Sequence, residues 1–527
     1  MKKTVALILI GLTIFLGGCN KEKKSTKDVL HAFVGSDTES LDPAKCSSAH
    51  GHMYGQCIYE PLAVLNEKGV PQLAAADKCD ISPDGLTYTF HIRDNKWQNG
   101  DPVTAKDFEY SWKRTLNPET GSTYAYMLYP IKGAEEYNSG KVAADALGVK
   151  ALDDRTLQVI LKAPTGYFLG ICAHQAAFPV NPRTVAAGSD WATKVETLIG
   201  NGPFIIKKWV HNNKISMVKN NDYWDKDKVK FNGIEFYLLD SDVTADAMFD
   251  NGELDFEVAP NQSRWDLLAK AGKLYEHASI KLTYYALDNG RPPFNNPKVR
   301  QAFAKAIDRS KMVKALTRDK FPIAYGIVPY GLINPSTNQD FRQEAGALFS
   351  ESVGEAKKLL AEAGYKDGKG FPTVTLVYNT REENKKAAEL LQEMIRKNLG
   401  INIEIHNQEW KVYQDSKQRR VYDISQCFWA GDYFDPMTFL DLVMTNGGNN
   451  YGVYSNPEFD RLLQAAQNTG DQKVRMEAMH QAEKILMDDM GVVPILFGKN
   501  MAAVQPKLKG FINPGNGSYS FKYAYKE

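Results

Sequence analysis

The chain has 527 residues, 43% of them hydrophobic, which is ample for large cores and too long for a single one, so two or three lobes are expected. Lys and Arg number 64 against 63 Asp and Glu, and the formal charge of +1 becomes −1 once Lys2 and Lys3 leave with the leader segment. A near-neutral protein argues against nucleic acid or an anionic membrane surface as the main ligand, because both select clustered positive charge.

In chain order, Lys2 and Lys3 precede an apolar run over residues 5–16 (VALILIGLTIFL). Its length suits the core of a secretory signal peptide and falls short of the ~20 residues of a membrane-spanning helix. Leu16, Gly17, Gly18 and Cys19 then resemble a bacterial lipobox, in which small residues fit a signal peptidase and the cysteine thiol takes a lipid. Residues 1–18 are therefore expected to be removed, Cys19 to be lipidated, and residues 19–28 to form a solvated tether. No second apolar stretch of spanning length follows, which makes the lipid the expected membrane contact. Five further cysteines, Cys46, Cys57, Cys79, Cys172 and Cys427, leave at least one unpaired, and two bridges among them could be drawn fifteen ways.

Strand and helix patterns alternate from there on. Residues 86–92 (LTYTFHI) alternate as a half-buried strand. Thr104 and Asp107 form a capping-box-like start, followed by Phe108, Trp112 and Leu116 on one helical face. Asn296 before Pro297 and Asn456 before Pro457 open two more helices. Ser352 and Glu355 cap a helix that Gly364 would end. Residues 373–378 (TVTLVY) read as a strand, 383–399 as a helix stopped by Gly400, and Ile401, Ile403 and Ile405 as the next strand. That order is a βαβ unit, so part of the sheet is expected to be parallel and the fold class α/β.

Catalytic signatures are missing: there is no HExxH, no GxSxG, and the glycine-rich 364–370 segment lacks Walker spacing. The cluster Cys46, His50, His52 and Cys57 offers zinc-ligand types. The plainer reading is a loop-to-helix segment with solvated histidines, in which Cys46 and Cys57 could form a bridge, and it is favoured. No metal or cofactor is expected.

Several blocks together resemble the extracytoplasmic solute-binding proteins of peptide ABC transporters, solute-binding family 5. They are Ser40 to Pro43, the signature over 86–108 with Trp97, Asn99, Gly100 and Pro102, Asn201 to Phe204 with Trp209, and Ile307, Asp308 and Arg309. The segment 375–459 is similar to the oligopeptide-binding branch, with Asn407 to Lys411, Phe428 to Tyr433, and Asp435 with Pro436. The resemblance implies a two-lobed periplasmic-binding-protein fold (type II, cluster C) with an additional domain inserted in the first lobe. Lobe I would take 29–62, 190–285 and 491–527, the extra domain 63–189, and lobe II 286–490, with residues 280–287 as a crossing between lobes.

The resemblance also implies a site and a role. Asp432 matches the aspartate that holds a peptide ammonium, and Cys427, Phe428 and Trp429 match the segment that bonds the peptide main chain. Trp429, Trp410 and Tyr124 match pocket-lining positions, and Lys417 a basic residue meeting the peptide carboxylate. Three positions depart from the pattern: Gln426 replaces an arginine, Ser47 an acidic residue, and Ala430 a cysteine of the branch's usual bridge. The implied protein is not an enzyme; it is a monomeric, lipid-anchored receptor outside a bacterial cytoplasm that delivers peptides to a permease. A metal chelate, haem or another small solute in the same fold is the alternative, and a secreted hydrolase the second.

Overall fold

The computed structural model describes residues 28–527 except Glu39, Ser47 and Asp240, together with every side chain of those residues but Lys411's. The leader, Cys19, most of the tether and Ser47 lie outside the described residues. Among the described residues, no helix is long and apolar enough to cross a membrane.

Fourteen strands carry the architecture: β1 (Val29–Gly35), β2 (Ala76–Ile81), β3 (Thr87–Ile92), β4 (Val149–Ala151), β5 (Thr156–Ile160), β6 (Phe204–Val210), β7 (Lys214–Lys219), β8 (Gly233–Leu238), β9 (Phe256–Val258), β10 (Leu274–Leu287), β11 (Val374–Asn379), β12 (Ile403–Gln408), β13 (Ile424–Ala430) and β14 (Val493–Val504). Ten form one continuous sheet in the order β12-β11-β13-β10-β14-β9-β1-β8-β7-β6, and β2-β3-β5-β4 form a separate four-stranded sheet. The long strands β10 and β14 occupy the middle of the large sheet. Their pairing breaks register between Ala278 and Leu282. At that break Ile280 turns its backbone N–H to Gly515 O and its carbonyl to Gly431 N, both at 2.9 Å.

The βαβ reading holds. β11 pairs in parallel with β12, Val374 opposite Ile403, and the helix Glu382–Leu399 connects them. Its apolar face buries Ala387, Leu391, Met394, Ile395 and Leu399, and Gly400 ends it at φ 73°. That left-handed conformation favours glycine because a Cβ would clash there. The helix Ala105–Leu116 starts at Thr104 with the reciprocal Thr104–Asp107 capping box, and buries Phe108, Trp112 and Leu116 completely. Asn296, Ser352 and Asn456 each cap the helix expected from them.

Several residues of the family blocks hold the fold together. Asp42 takes Arg114 through both guanidinium nitrogens, at 2.8 and 2.5 Å, and so ties β1's following loop to the inserted sheet's main helix. Asn201 accepts Glu60 N–H at 2.8 Å, and its carbonyl accepts Asn95 Nδ2 at 3.0 Å. Trp97 Nε1 donates to Asp107 at 3.2 Å, and Trp209 Nε1 to Asp37 at 3.0 Å. Buried polar groups need such partners, which explains residue types that composition alone leaves arbitrary.

The histidine–cysteine segment takes the expected loop-to-helix form but differs in its cysteines and in His52. It forms the helix Ala49–Ile58. Cys46 Sγ lies against Gly51 in the first turn. Cys57 is six residues further on, a rise of about 9 Å that exceeds the reach of a bridge. Cys57 is a free thiol that donates to Met53 O at 3.5 Å, and Cys79, Cys172 and Cys427 are free as well. His52 is not solvated: burial pushes its pKa down to about 4, and its ring stacks on His174 at 5.9 Å. Among the described residues, no group of three His, Cys, Asp or Glu side chains stands at metal-binding distance.

Candidate functional site

The candidate site centres on Asp432. This residue follows the end of β13, and Thr438 Oγ1 accepts its backbone N–H at 3.1 Å. Tyr126 of the inserted domain donates its hydroxyl to Asp432 Oδ2 at 3.1 Å. His174, also of the inserted domain, brings Nε2 to 3.8 Å from Oδ1. Its Nδ1 accepts Ala176 N–H, so the ring hydrogen sits on Nε2, facing the carboxylate. Burial, with His52 alongside, depresses the His174 pKa to about 3, so the ring is neutral. Among the described residues, no Lys or Arg lies within ion-pair distance of Asp432. Burial therefore pushes its pKa up to about 7, against which the Tyr126 hydrogen bond works only in part.

Asp432, Tyr124, Tyr126 and His174 share a telling combination: each is deeply desolvated, yet each keeps some accessible surface. Tyr124 stacks on Tyr126 at 5.7 Å and meets His174 at 5.0 Å, forming an aromatic wall beside the carboxylate. Asp441, whose oxygen accepts Tyr433's hydroxyl at 3.0 Å, is a second acid pushed up to about 7 by burial. The neighbouring Asp435 is neutralised by Arg475 through two bonds of 2.7 and 2.5 Å.

β13 supplies the second element of the site. One edge pairs with β10 over its full length, Lys281 opposite Ala430 through Leu287 opposite Ile424. The other edge pairs with β11 only at Ile424 and Ser425. The run from Gln426 to Ala430 thus has one side of its main chain outside the sheet ladder, where the Tyr413 hydroxyl bonds Gln426 O. Such an edge accepts an added strand, with main-chain bonds indifferent to sequence.

The other expected residues fall around this edge. Phe428 is 46% exposed and Trp410 54%, so Trp410 is not core, although either place was open to it. Trp429 is half-buried, and its indole N–H is satisfied by Thr438 O at 2.8 Å, which leaves its ring to make contacts. Cys427 is buried and directs Sγ to Ser425 Oγ at 3.7 Å. Lys417 is also buried, its Nζ 4.7 and 4.4 Å from the ring centres of Tyr413 and Tyr451. Burial lowers its pKa, and it faces no carboxylate among the described residues. Gln426 is buried and donates to Asn384 at 3.3 Å, so no cation stands there. Tyr126 and His174 were not among the expected residues. They lie 306 and 258 positions from Asp432, and no local pattern links them to it.

A continuous sheet with two long central strands, and a desolvated carboxylate beside a part-paired strand edge, fits a two-lobed solute-binding protein. The family model for bacterial extracellular solute-binding proteins, family 5, matches residues 68–451, and the chain belongs to that family. It is 36% identical to the oligopeptide-binding protein OppA of Bacillus subtilis over the whole of both chains. It is 35% identical to the dipeptide-binding protein DppE of that organism, over 98% of each. Its fold matches the structure of the Escherichia coli murein tripeptide-binding protein MppA with a TM-score of 0.86 at 32% identity, covering 95% of this chain and 99% of that one. Against the unliganded open form of MppA, with 95% and 98% covered, the score is 0.71. The lobes here are arranged more nearly as in the former.

Proposed function

We propose that this protein is a lipid-anchored extracytoplasmic receptor, not an enzyme, that encloses oligopeptides between its lobes and delivers them to an ABC importer. One observation carries the reading: a desolvated carboxylate, Asp432, sits at the end of a strand whose edge is available to a peptide main chain. An ammonium terminus would neutralise Asp432 through a charge-assisted bond while the peptide backbone adds to Gln426–Ala430. Tyr124, Trp429, Trp410 and Phe428 would meet the side chains, and Lys417 a peptide carboxylate. Relatives named for dipeptides and oligopeptides support the ligand class, and a structure of Listeria monocytogenes OppA bound to peptide shows it in a relative 32% identical.

The division into lobe I (29–62, 190–285, 491–527), extra domain (63–189) and lobe II (286–490) belongs to the same proposal. So does anchorage through Cys19, which a Cys19→Ser variant recovered from the soluble fraction would support and one still membrane-bound would sink. Calorimetry with trialanine tests the amine anchor. Wild type should bind, and Asp432→Ala should bind at least about a hundredfold more weakly, the scale of an orphaned buried charge partner. Undiminished affinity in the variant would refute the assignment.

A further inference from the structure

Lys281 is used neither by the fold nor by the site as described so far. It lies on β10 in the register break between Ala278 and Leu282, where the chain passes from one lobe to the other. Its cross-strand partner is Ala430, two residues before Asp432. Among the described residues its ammonium makes no hydrogen bond and no ion pair. The side chain is nevertheless not a surface lysine. Its stem lies across Gly498, where an added Cβ would come within 2.8 Å of Lys281 Cβ. Its tip lies under Gly517, where an added Cβ would stand 2.8 Å from Cε and 3.2 Å from Nζ. Gly517 has a φ of 93°, so the carboxy-terminal loop closes over the lysine through a residue that must be glycine in any case.

Burial alone pushes its pKa down to about 8, with no carboxylate acting to raise it. It still keeps accessible surface, as Asp432, Tyr124, Tyr126 and His174 do. Residues opposite one another in adjacent strands share a face of the sheet, so Lys281 and Ala430 stand together, as do Thr283 and Phe428. All four retain accessible surface beside the unpaired edge of β13. A strand added to that edge would lie two strand spacings, roughly 10 Å, from β10, and would set alternate side chains over this face. An extended lysine and an extended Glu side chain together span such a distance.

We propose that Lys281 takes a carboxylate of the bound peptide, which makes the receptor prefer peptides that bring an anion within its reach. This rests on the peptide-receptor reading and adds a selectivity to it. An unpaired, desolvated ammonium is costly unless a ligand supplies the counter-charge, so an acidic ligand gains where a neutral one does not. The anion could be an Asp or Glu side chain or the terminal carboxylate of a short peptide, and the experiment separates these sources.

Calorimetry would compare tetra-alanine peptides carrying Glu or Gln at position 1, 2 or 3, each as free acid and as carboxy-terminal amide, on wild type, Lys281→Met and Lys281→Arg. In wild type, Glu should be preferred over Gln at one position by about tenfold or more, the scale of a hydrogen bond to a charged group. Lys281→Met should erase that preference while leaving the Gln peptide's affinity unchanged, and Lys281→Arg should keep it. If Lys281→Met instead erases a preference for acid over amide, the terminal carboxylate is the partner and the proposal stands. Equal Glu-to-Gln and acid-to-amide ratios in wild type and Lys281→Met would overturn it. The Gln peptide is the internal control for folding; should Lys281→Met fail that control, the same ratios are read in Lys281→Gln. Wild type that binds no peptide at all would instead refute the peptide reading itself.

Discussion

Asp432 sets a cost on closing the lobes without a cation, and replacing it with asparagine should separate closure from capture. In the closed arrangement the carboxyl has a pKa of about 7, against an ordinary value of 3.8 when hydrated. The closed form thus holds the proton more tightly than a form in which water reaches the group. Below pH 3.8 the acid is neutral in both forms and costs nothing. Between 3.8 and 7 the cost of closure grows, and above 7 it is complete, at about 4 kcal/mol or roughly a thousandfold in the closure equilibrium. The amide of the Asp432→Asn variant could never carry that charge. Empty Asp432→Asn should therefore be more compact than empty wild type at about pH 8 by small-angle scattering, while its affinity for trialanine falls in calorimetry. Acidifying empty wild type from about pH 8 to about pH 5 should move it toward the variant's compactness, with Asp441 adding to the response in the same direction. An empty variant as open as wild type in the alkaline buffer, together with wild-type scattering that does not change with pH, would refute this reasoning.

Three further substitutions probe the surroundings. Tyr126→Phe removes the hydroxyl that bonds the Asp432 carboxylate and should weaken trialanine binding about three- to tenfold by calorimetry, the worth of a single hydrogen bond. Arg475→Ala leaves Asp435 buried without its partner and should cost about 3–5 kcal/mol of stability in denaturant unfolding. Trp410→Ala should change stability by less than about 0.5 kcal/mol because the ring is largely exposed, so any loss of peptide affinity would report contact with ligand.

The elements most legible in the sequence were those whose signals are local. Caps at Thr104, Asn296, Ser352 and Asn456, the glycine stop at Gly400 and the βαβ order all appear in the structure as read. Asp432 was marked as a candidate by its motif, and Cys427 to Trp429 as a segment offering main-chain bonds. Tyr126 and His174 were not legible, because their relation to Asp432 exists only once the inserted domain and the second lobe have met. The histidine–cysteine cluster was misread for a related reason. Spacing suggested a bridge, whereas a helix carries Cys57 away from Cys46 and sets His52 and Gln56 one turn apart, 2.6 Å between side-chain nitrogens, on the side that meets His174. Lys281 stood beside the recognised alanine at 430, but only the strand register shows that the two face each other.

The same register bears on how ligand and closure are coupled. Contacts between residues far apart in the chain hold the present arrangement without a ligand: Tyr167 lies parallel to Tyr433 at 4.5 Å, and Arg475 stands over Tyr167 at 5.1 Å. Aromatic pairs of this kind add about 0.5–1.5 kcal/mol each beyond their burial. The exposed ion pair of Arg381 with Asp242, at 3.5 Å, adds little. Left to these terms, the lobes would close empty. Asp432 and Lys281 oppose them with desolvated charges of opposite sign that do not pair with each other. A zwitterionic ligand with an added acidic group cancels both penalties at once, whereas a neutral molecule cancels neither. A ligand shifts a conformational equilibrium only by its differential affinity for the two states, and here that difference resides chiefly in two unpaired charges.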